Sequence, residues 1–202
     1  GLGPGNLRAN SSGYLNTAVG SYSLYVNTTG YHNTALGTSV LQNNINGNYN
    51  IGVGNYASYR NTTANLNTAI GYRALYNNTT GGSNTALGYF AGNGFSSATP
   101  ISNNVLIGMG VYRVGTGNNN TLIGTSTAID LGAGDNNILL GYNLAAGGVT
   151  TLSNNTVIGS NISLSTLPNS TTGWVLITDG QGNVRFKDDA TNTILPRLAG
   201  SG

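Results

Sequence analysis

The chain has 202 residues, of which 6% are charged and none is cysteine, and its net charge is +2. Without a cluster of Lys and Arg it lacks the basic surface that nucleic acids require, so we expect no nucleic-acid partner. No apolar run approaches the ~18 residues of a membrane span, so we expect no membrane insertion, and disulfides are excluded.

A five-residue motif, Asn-Thr-Ala-φ-Gly with φ an aliphatic residue, recurs nine times along the chain. Successive copies are 17, 17, 17, 17, 20, 16, 17 and 18 residues apart. A short, regular period is typical of a solenoid, in which each repeat is one coil stacked on the last. The fixed register of the aliphatic residues also argues against disorder. The copies begin at Asn16, Asn33, Asn50, Asn67, Asn84, Asn104, Asn120, Asn137 and Asn155.

The spacing of the motif divides the chain in order. We expect a lead-in or capping coil at 1–15, regular 17-residue coils at 16–91, an insert at 92–103, divergent coils at 104–164, a β-hairpin module at 165–187, and a linker or flexible tail at 188–202. The hairpin is indicated by two apolar runs around Asp-Gly and Gly-Asn. Because the chain begins at Gly1, we expect it to be part of a longer protein.

Each coil is predicted to be all-β. The Thr-Ala-φ segment predicts a strand that ends at the motif glycine, with Thr17 and Val19 on one face and Ala18 on the other. A second strand is expected at residues 23–25, and we expect φ and the Leu24-type residue to fill the core. Gly, Asn and Thr disfavour helix, and no apolar period of 3.6 residues is sustained.

Two residue columns are predicted to form ladders along the coils. The nine motif asparagines are expected to form a structural amide ladder that bonds each coil to the next. Tyr25, Tyr59 and Tyr76 are expected to form an aromatic ladder. Packing is the favoured role for these tyrosines, and contact with a glycan is the alternative.

The third motif position changes character along the chain. It is Ala or Gly in the first five copies and Leu or Val in the last four, and the change coincides with the 20-residue step. We interpret this change as a different cross-section or a different packing between chains. Descent of the two halves from different repeat families is the alternative.

Apolar side chains on more than one face of the coil indicate that one chain does not cover them all. We therefore expect a homo-oligomer, because association would bury the second face.

The motif resembles the repeats of viral and phage tail or receptor-binding fibres, and it is similar in style to the head repeats of trimeric autotransporter adhesins. The resemblance rests on Asn-Thr-Ala-Ile-Gly-Tyr-Arg-Ala-Leu at 67–75, Asn-Thr-Ala-Leu-Gly-Tyr-Phe-Ala at 84–91, and Gly-Trp-Val-Leu-Ile-Thr-Asp-Gly-Gln-Gly-Asn at 173–183. It implies a homotrimer of parallel β-rolls at a virion surface or cell surface, with a host glycan or receptor as partner.

No residue pattern predicts catalysis, a metal or a cofactor. His32 is the single histidine and lies at a variable turn position. The acidic residues are too few for glycoside cleavage. For Asp130 and Asp135, which share one turn, solvation is favoured over weak Ca²⁺ binding. The five acids of the chain are Asp130, Asp135, Asp179, Asp188 and Asp189. We therefore expect a structural or attachment protein, the shaft or receptor-binding part of a viral fibre. A bacterial trimeric adhesin and an ice- or glycan-binding solenoid are the alternatives, with a depolymerase last.

Overall fold

The computed structural model describes residues 1–94, 100–111, 116–127, 133–144, 153–162, 173–179, 184–188 and 193–194. These residues form twelve strands, and no helix occurs among them. The strands are β1 (Thr17–Val19), β2 (Thr34–Leu36), β3 (Ile51–Val53), β4 (Thr68–Ile70), β5 (Thr85–Leu87), β6 (Val105–Ile107), β7 (Thr121–Ile123), β8 (Ile138–Leu144), β9 (Thr156–Ile162), β10 (Val175–Thr178), β11 (Val184–Asp188) and β12 (Thr193–Ile194).

The first ten strands form a single parallel sheet in sequence order, and this sheet is one wall of a β-solenoid of about eight turns. Equivalent motif positions pair in register, as Thr17 with Thr34 and Ala18 with Ala35. Strands β1–β7 end directly before the motif glycine, as predicted, whereas β8 and β9 continue through it. Gly20 has φ 113°, a backbone conformation that L side chains rarely adopt. The predicted all-β parallel solenoid is confirmed.

The sheet continues without interruption across the 20-residue step, where Ala86 pairs with Leu106. A difference in strand length appears later, because β8 and β9 have seven residues whereas β1–β7 have three. Part of the predicted insert, 95–99, lies outside the described residues. Ile101, which follows it, is fully buried and joins the core.

The parallel sheet is one rung longer at its end than the nine motif copies suggest. Val175 in β10 pairs in parallel with Thr156 in β9. The backbone N–H of Trp174 donates to Oδ1 of Asn155 at 3.0 Å, so Trp174 occupies the position of a tenth motif asparagine. β11 then pairs antiparallel with β10, and β12 with β11. The predicted hairpin turn, 180–183, lies outside the described residues, as does most of the predicted tail.

The lead-in residues form a coil that precedes β1. Leu2 bridges to Val19 in parallel, its backbone N–H donates to the Ala18 carbonyl at 2.8 Å, and its carbonyl accepts from Gly20 at 2.8 Å. The lead-in residues therefore pair with the first motif coil as the coils pair with one another.

In the first three residues of each of the strands β1–β10, the middle residue faces the interior and the two flanking residues face outwards. Ala18, Ala35, Ala69 and Leu106 are at most 1% exposed, while the φ residues Leu36 and Leu87 are exposed. The prediction that φ fills the core is therefore wrong. The predicted alternation of faces along the strand is correct. The small third residue of the motif, rather than φ, faces the interior because the coil is narrow there.

The predicted second strand at 23–25 is also wrong. Residues 21–26 form turns, and Tyr22 and Leu24 both have positive φ, 58° and 51°. Left-handed residues at alternate positions prevent an extended strand. The turn nevertheless bonds to the next coil, since Leu24 N donates to the Val40 carbonyl at 3.0 Å. Leu24 is fully buried, so its predicted place in the core is confirmed.

Large and small side chains complement each other within the core. The core of the coils whose strands supply Ala or Gly also contains the fully buried turn residues Leu24, Leu41 and Leu75. At Gly52 an added Cβ would lie 2.4 Å from Cγ1 of Val40. The glycine at this strand position is therefore explained by the Val40 side chain that occupies its space.

Candidate binding surfaces

The outward face of the parallel sheet carries a row of exposed aliphatic side chains, which we call the outer ladder. They are 36% to 47% exposed. All ten parallel rungs carry Thr, Val, Leu or Ile at both outward positions on this face, and no charged residue occurs there. The outer ladder consists of Leu36, Ile51, Ile70, Leu87, Ile123, Ile138, Ile158 and Ile177.

The outer ladder is large for an exposed apolar surface. Parallel strands lie about 4.8 Å apart and three strand residues span about 10 Å, so the ten rungs of the sheet face that carries it, threonines included, cover on the order of 450 Å². Contiguous apolar patches above a few hundred Å² mark interaction sites in soluble proteins. The sheet face is therefore the first candidate for a binding surface.

A second surface is formed by stacked aromatic side chains. Tyr59 and Tyr76 stack with ring centroids 5.1 Å apart and planes 7° apart. Tyr72 and Tyr89 form a neighbouring stack at 5.4 Å, which sequence reasoning did not identify. Tyr25 does not continue the predicted ladder, because Gln42 lies between it and Tyr59 in the column.

Tyr25 instead belongs to a separate group near the start of the chain. Its hydroxyl accepts a hydrogen bond from Arg8, whose guanidinium carbon lies 5.4 Å from the ring centroid. Tyr22 packs edge-on against it at 5.5 Å. Of the three predicted glycan-contact tyrosines, the structure thus brings only Tyr59 and Tyr76 together.

Arg73 is the cationic centre of the aromatic surface. Its guanidinium carbon lies 5.0 Å from the ring centroid of Tyr76, 5.5 Å from Tyr72, 5.8 Å from Tyr56 and 5.9 Å from Phe90. Cation–π contacts of this kind are favourable and leave the N–H donors free for a further partner. Its Nε is buried without a hydrogen-bond partner among the described residues.

The motif asparagines are buried, apart from the half-buried Asn16 of the first copy. In the motif column, Asn33, Asn50, Asn67 and Asn84 are at most 1% exposed, and each donates to or accepts from the neighbouring coil. A surface ligand does not reach them, so their role is structural.

A second buried amide column lies at the turn and was not recognised as a ladder from the sequence. Nδ2 of Asn44 donates to Oδ1 of Asn27 at 2.8 Å, and Nδ2 of Asn61 to Oδ1 of Asn44 at 2.6 Å. The signal was present in the sequence, since these residues recur at the same 17-residue period.

The histidine and an aspartate that were considered for catalysis or metal binding make contacts within the solenoid. His32 stacks on Tyr49 at 5.0 Å. Oδ1 of the half-buried Asp135 accepts from the backbone N–H of Asn118 at 2.6 Å, so this acid links two neighbouring coils. Asp130 and Asp189 lie outside the described residues. In the part of the chain that is described, no three His, Cys, Asp or Glu residues cluster in a way that could hold a metal ion.

The comparisons with known proteins add no relative. No family model matches the chain, and neither the curated proteins nor the solved structures contain a significant match. Among the described residues, no helix is long and apolar enough to cross a membrane. The class of the protein is therefore defined by its fold, a parallel β-solenoid of short repeats.

Proposed function

We propose that this chain is a structural or attachment protein, the shaft or receptor-binding part of a viral or phage fibre, and that it assembles as a homotrimer through the outer ladder. The observation that carries the proposal is the row of exposed aliphatic side chains on eight of the ten rungs of one sheet face, with members such as Leu36, Ile70 and Leu87. Water-exposed apolar surface of this extent favours burial against an identical surface.

A repetitive solenoid suits a shaft because each coil adds about 4.8 Å of length at constant cross-section. The ten parallel strands give a rod on the order of 45 Å. The buried amide columns and in-register pairing fix neighbouring coils rigidly. These features favour a mechanical role and a place on a virion or cell surface over catalysis.

The size of the outer ladder also limits the proposal. A standard interface buries ~800 Å² per partner, and the outer ladder supplies about half of that area. The turns beside the sheet must contribute the remainder in an assembled fibre. A trimeric bacterial surface adhesin would use the same geometry and is the second candidate.

Molecular mass in solution tests the assembly. Sedimentation equilibrium should give three times the chain mass of 20.6 kDa, and the mass should persist on dilution to the micromolar range. A monomer would contradict the trimer and would favour a solenoid that binds ice or glycans through its flat Thr-bearing face. We propose no catalytic activity, so hydrolysis of any polysaccharide by the purified chain would overturn the non-enzymatic assignment.

A further inference from the structure

One turn column contains a gap beside Arg73. In successive coils the column holds Arg73, Phe90, Gly110 and Ser126, all left-handed, with φ of 54°, 58°, 64° and 53°. Rung contacts confirm the alignment, since Gly110 N donates to the Tyr89 carbonyl and Ser126 N to the Met109 carbonyl, both at 2.9 Å. A Cβ added at Gly110 would meet no atom within 4 Å, so the glycine leaves a notch in the column.

The notch is the floor of a pocket of about 470 Å³. This volume falls within the ~300–1,000 Å³ of small-ligand sites. Its apolar walls are Tyr89, Phe90 and Met109, and its polar groups come from Arg73, Asn93 and Ser126. Tyr89 and Phe90 meet edge to face with centroids 4.3 Å apart, which presents two ring surfaces at an angle.

Two polar side chains of the pocket wall have unpaired atoms. Nε of Arg73 and Oδ1 of Asn93 are both buried and have no hydrogen-bond partner within the described part of the chain. Unpaired buried donors and acceptors destabilise a protein. A ligand that draws either side chain towards the pocket can provide the missing hydrogen bond. This gain favours ligand binding in the pocket.

The charge of the pocket selects the ligand. Arg73 is a permanent cation, and no Asp or Glu is found among the described residues that line the pocket. A carboxylate fits a guanidinium through two parallel N–H···O bonds. The aromatic walls suit the C–H face of a sugar ring, because the negative ring face attracts weakly positive hydrogens. Hydroxyl groups can pair with Asn93 and Ser126.

We propose that this pocket binds an acidic sugar residue, with its carboxylate on Arg73 and its ring on Tyr89 and Phe90. The proposal rests on the proposed attachment function and gives it a ligand class, the carboxylated glycans of a cell surface. It places recognition at the turn column rather than at the predicted column of Tyr25, Tyr59 and Tyr76.

Two matched ligands test the pocket. Methyl glucuronide and methyl glucoside differ only in the carboxylate that replaces a hydroxymethyl group. Isothermal titration of the whole chain at low salt should show about tenfold tighter binding of the glucuronide, as expected for one charged bidentate contact. The preference should shrink as salt is raised, because screening weakens the ion pair. Equal affinity for both ligands, or no binding of either, would overturn the proposal.

Substitutions locate the site with matched controls. Gly110→Tyr should fill the notch and abolish glucuronide binding, whereas Gly110→Ser, which adds a much smaller side chain, should weaken it less. Both residue types occur in the same left-handed column, at Tyr56 and Ser126, so both variants should fold. Arg73→Gln should reduce glucuronide affinity to that of the glucoside. Arg60→Gln, an exposed-face change outside the pocket lining, should have no effect. Unchanged binding in Gly110→Tyr would contradict the proposed site.

Sedimentation of the same samples separates this proposal from the assembly. A trimer that binds neither sugar would contradict the pocket and leave the fibre proposal intact. A monomer that prefers the glucuronide and loses it in Gly110→Tyr would support the pocket and contradict the trimer.

Discussion

Oδ1 of Asn16 accepts two hydrogen bonds from Asn33, one from its backbone N–H at 2.9 Å and one from its Nδ2 at 3.2 Å. Nδ2 of Asn33 also donates to the carbonyl of Gly47 at 2.7 Å. The same pattern links Asn67 and Asn84 several coils later. Each amide thus pairs its oxygen with the coil on one side and its nitrogen with a turn carbonyl, which explains why asparagine begins every repeat.

Truncating one member of this column should destabilise the solenoid strongly. In Asn67→Ala, the backbone N–H of Asn84 loses its acceptor. Nδ2 of Asn84 keeps only its bond to the Ile101 carbonyl, and the Gly81 carbonyl keeps only its bond from Nδ2 of Asn78. The unpaired N–H costs about 1–3 kcal/mol and each of the two other lost bonds about 1 kcal/mol, so we expect a loss of about 3–5 kcal/mol in the free energy of unfolding. Urea denaturation followed by circular dichroism measures it.

The matched control for that change is Asn46→Ala. Asn46 is exposed and lies in a turn rather than in the motif column. We expect a change within ~0.5 kcal/mol, as for surface substitutions without special contacts. Similar losses for both variants would show that the column does not carry the stability.

Much of the fold could be predicted because the motif encodes it locally. A strand of Thr-Ala-φ between Asn and Gly is the shortest unit that alternates faces and then turns, and its 17-residue recurrence implies stacking. The direction of the faces could not be predicted from hydropathy, since φ is more apolar than Ala18. The deciding factor is space: Asn33 and Ala35 must share the narrow interior for the amides to reach the next coil.

The binding surfaces were less predictable because they depend on contacts between columns. The outer ladder follows only once φ is known to face outwards. The pocket depends on a missing side chain at Gly110 together with Arg73 two coils before it. In the sequence, Gly110 is one glycine among 32, and only the positions of its neighbours distinguish it.

The motif glycine should tolerate no side chain, although other positive-φ positions do. At Gly71 the φ is 134° and an added Cβ would lie 2.3 Å from the Gly88 carbonyl oxygen. Gly71→Ala should therefore cost more than ~3 kcal/mol in unfolding free energy, because backbone must move and the conformation is strained. Thermal denaturation should show a large decrease in Tm.

Gly110→Ala is the control for backbone strain alone. Its φ of 64° is shared by non-glycine residues of its column, and an added Cβ there meets open space. We expect a cost of at most ~1 kcal/mol. If both alanine variants lost the same stability, the close approach between Gly71 and Gly88 would not be the cause.

The complementarity of strand and turn residues in the core predicts a rescue. Ala86 follows Leu75 by eleven residues, just as Gly52 follows Leu41 by eleven, so the two pairs occupy equivalent positions in the stack. A Cβ at Gly52 would lie 3.6 Å from Cγ of Leu41. Ala86→Leu should overpack this fully buried site and cost about 1–3 kcal/mol. Adding Leu75→Ala should recover part of that loss. Leu24→Ala, in a distant coil, should add its own cost without any rescue.

The last prediction concerns the outer ladder. The combined variant Leu36→Glu, Ile70→Glu and Leu87→Glu places three charges on side chains that are already 47%, 36% and 44% exposed in the single chain. Because these side chains face outwards, the coil itself should remain folded, with unchanged circular dichroism. In a trimer the same charges would be buried against like charges of the neighbouring chains, which is strongly unfavourable. We therefore expect the variant to sediment as a monomer.

The control carries Thr29→Glu, Thr63→Glu and Thr80→Glu, which add the same charge at exposed turn positions, and it should keep the mass of the parent. Dissociation of both variants would indicate that net charge, rather than the sheet face, governs assembly.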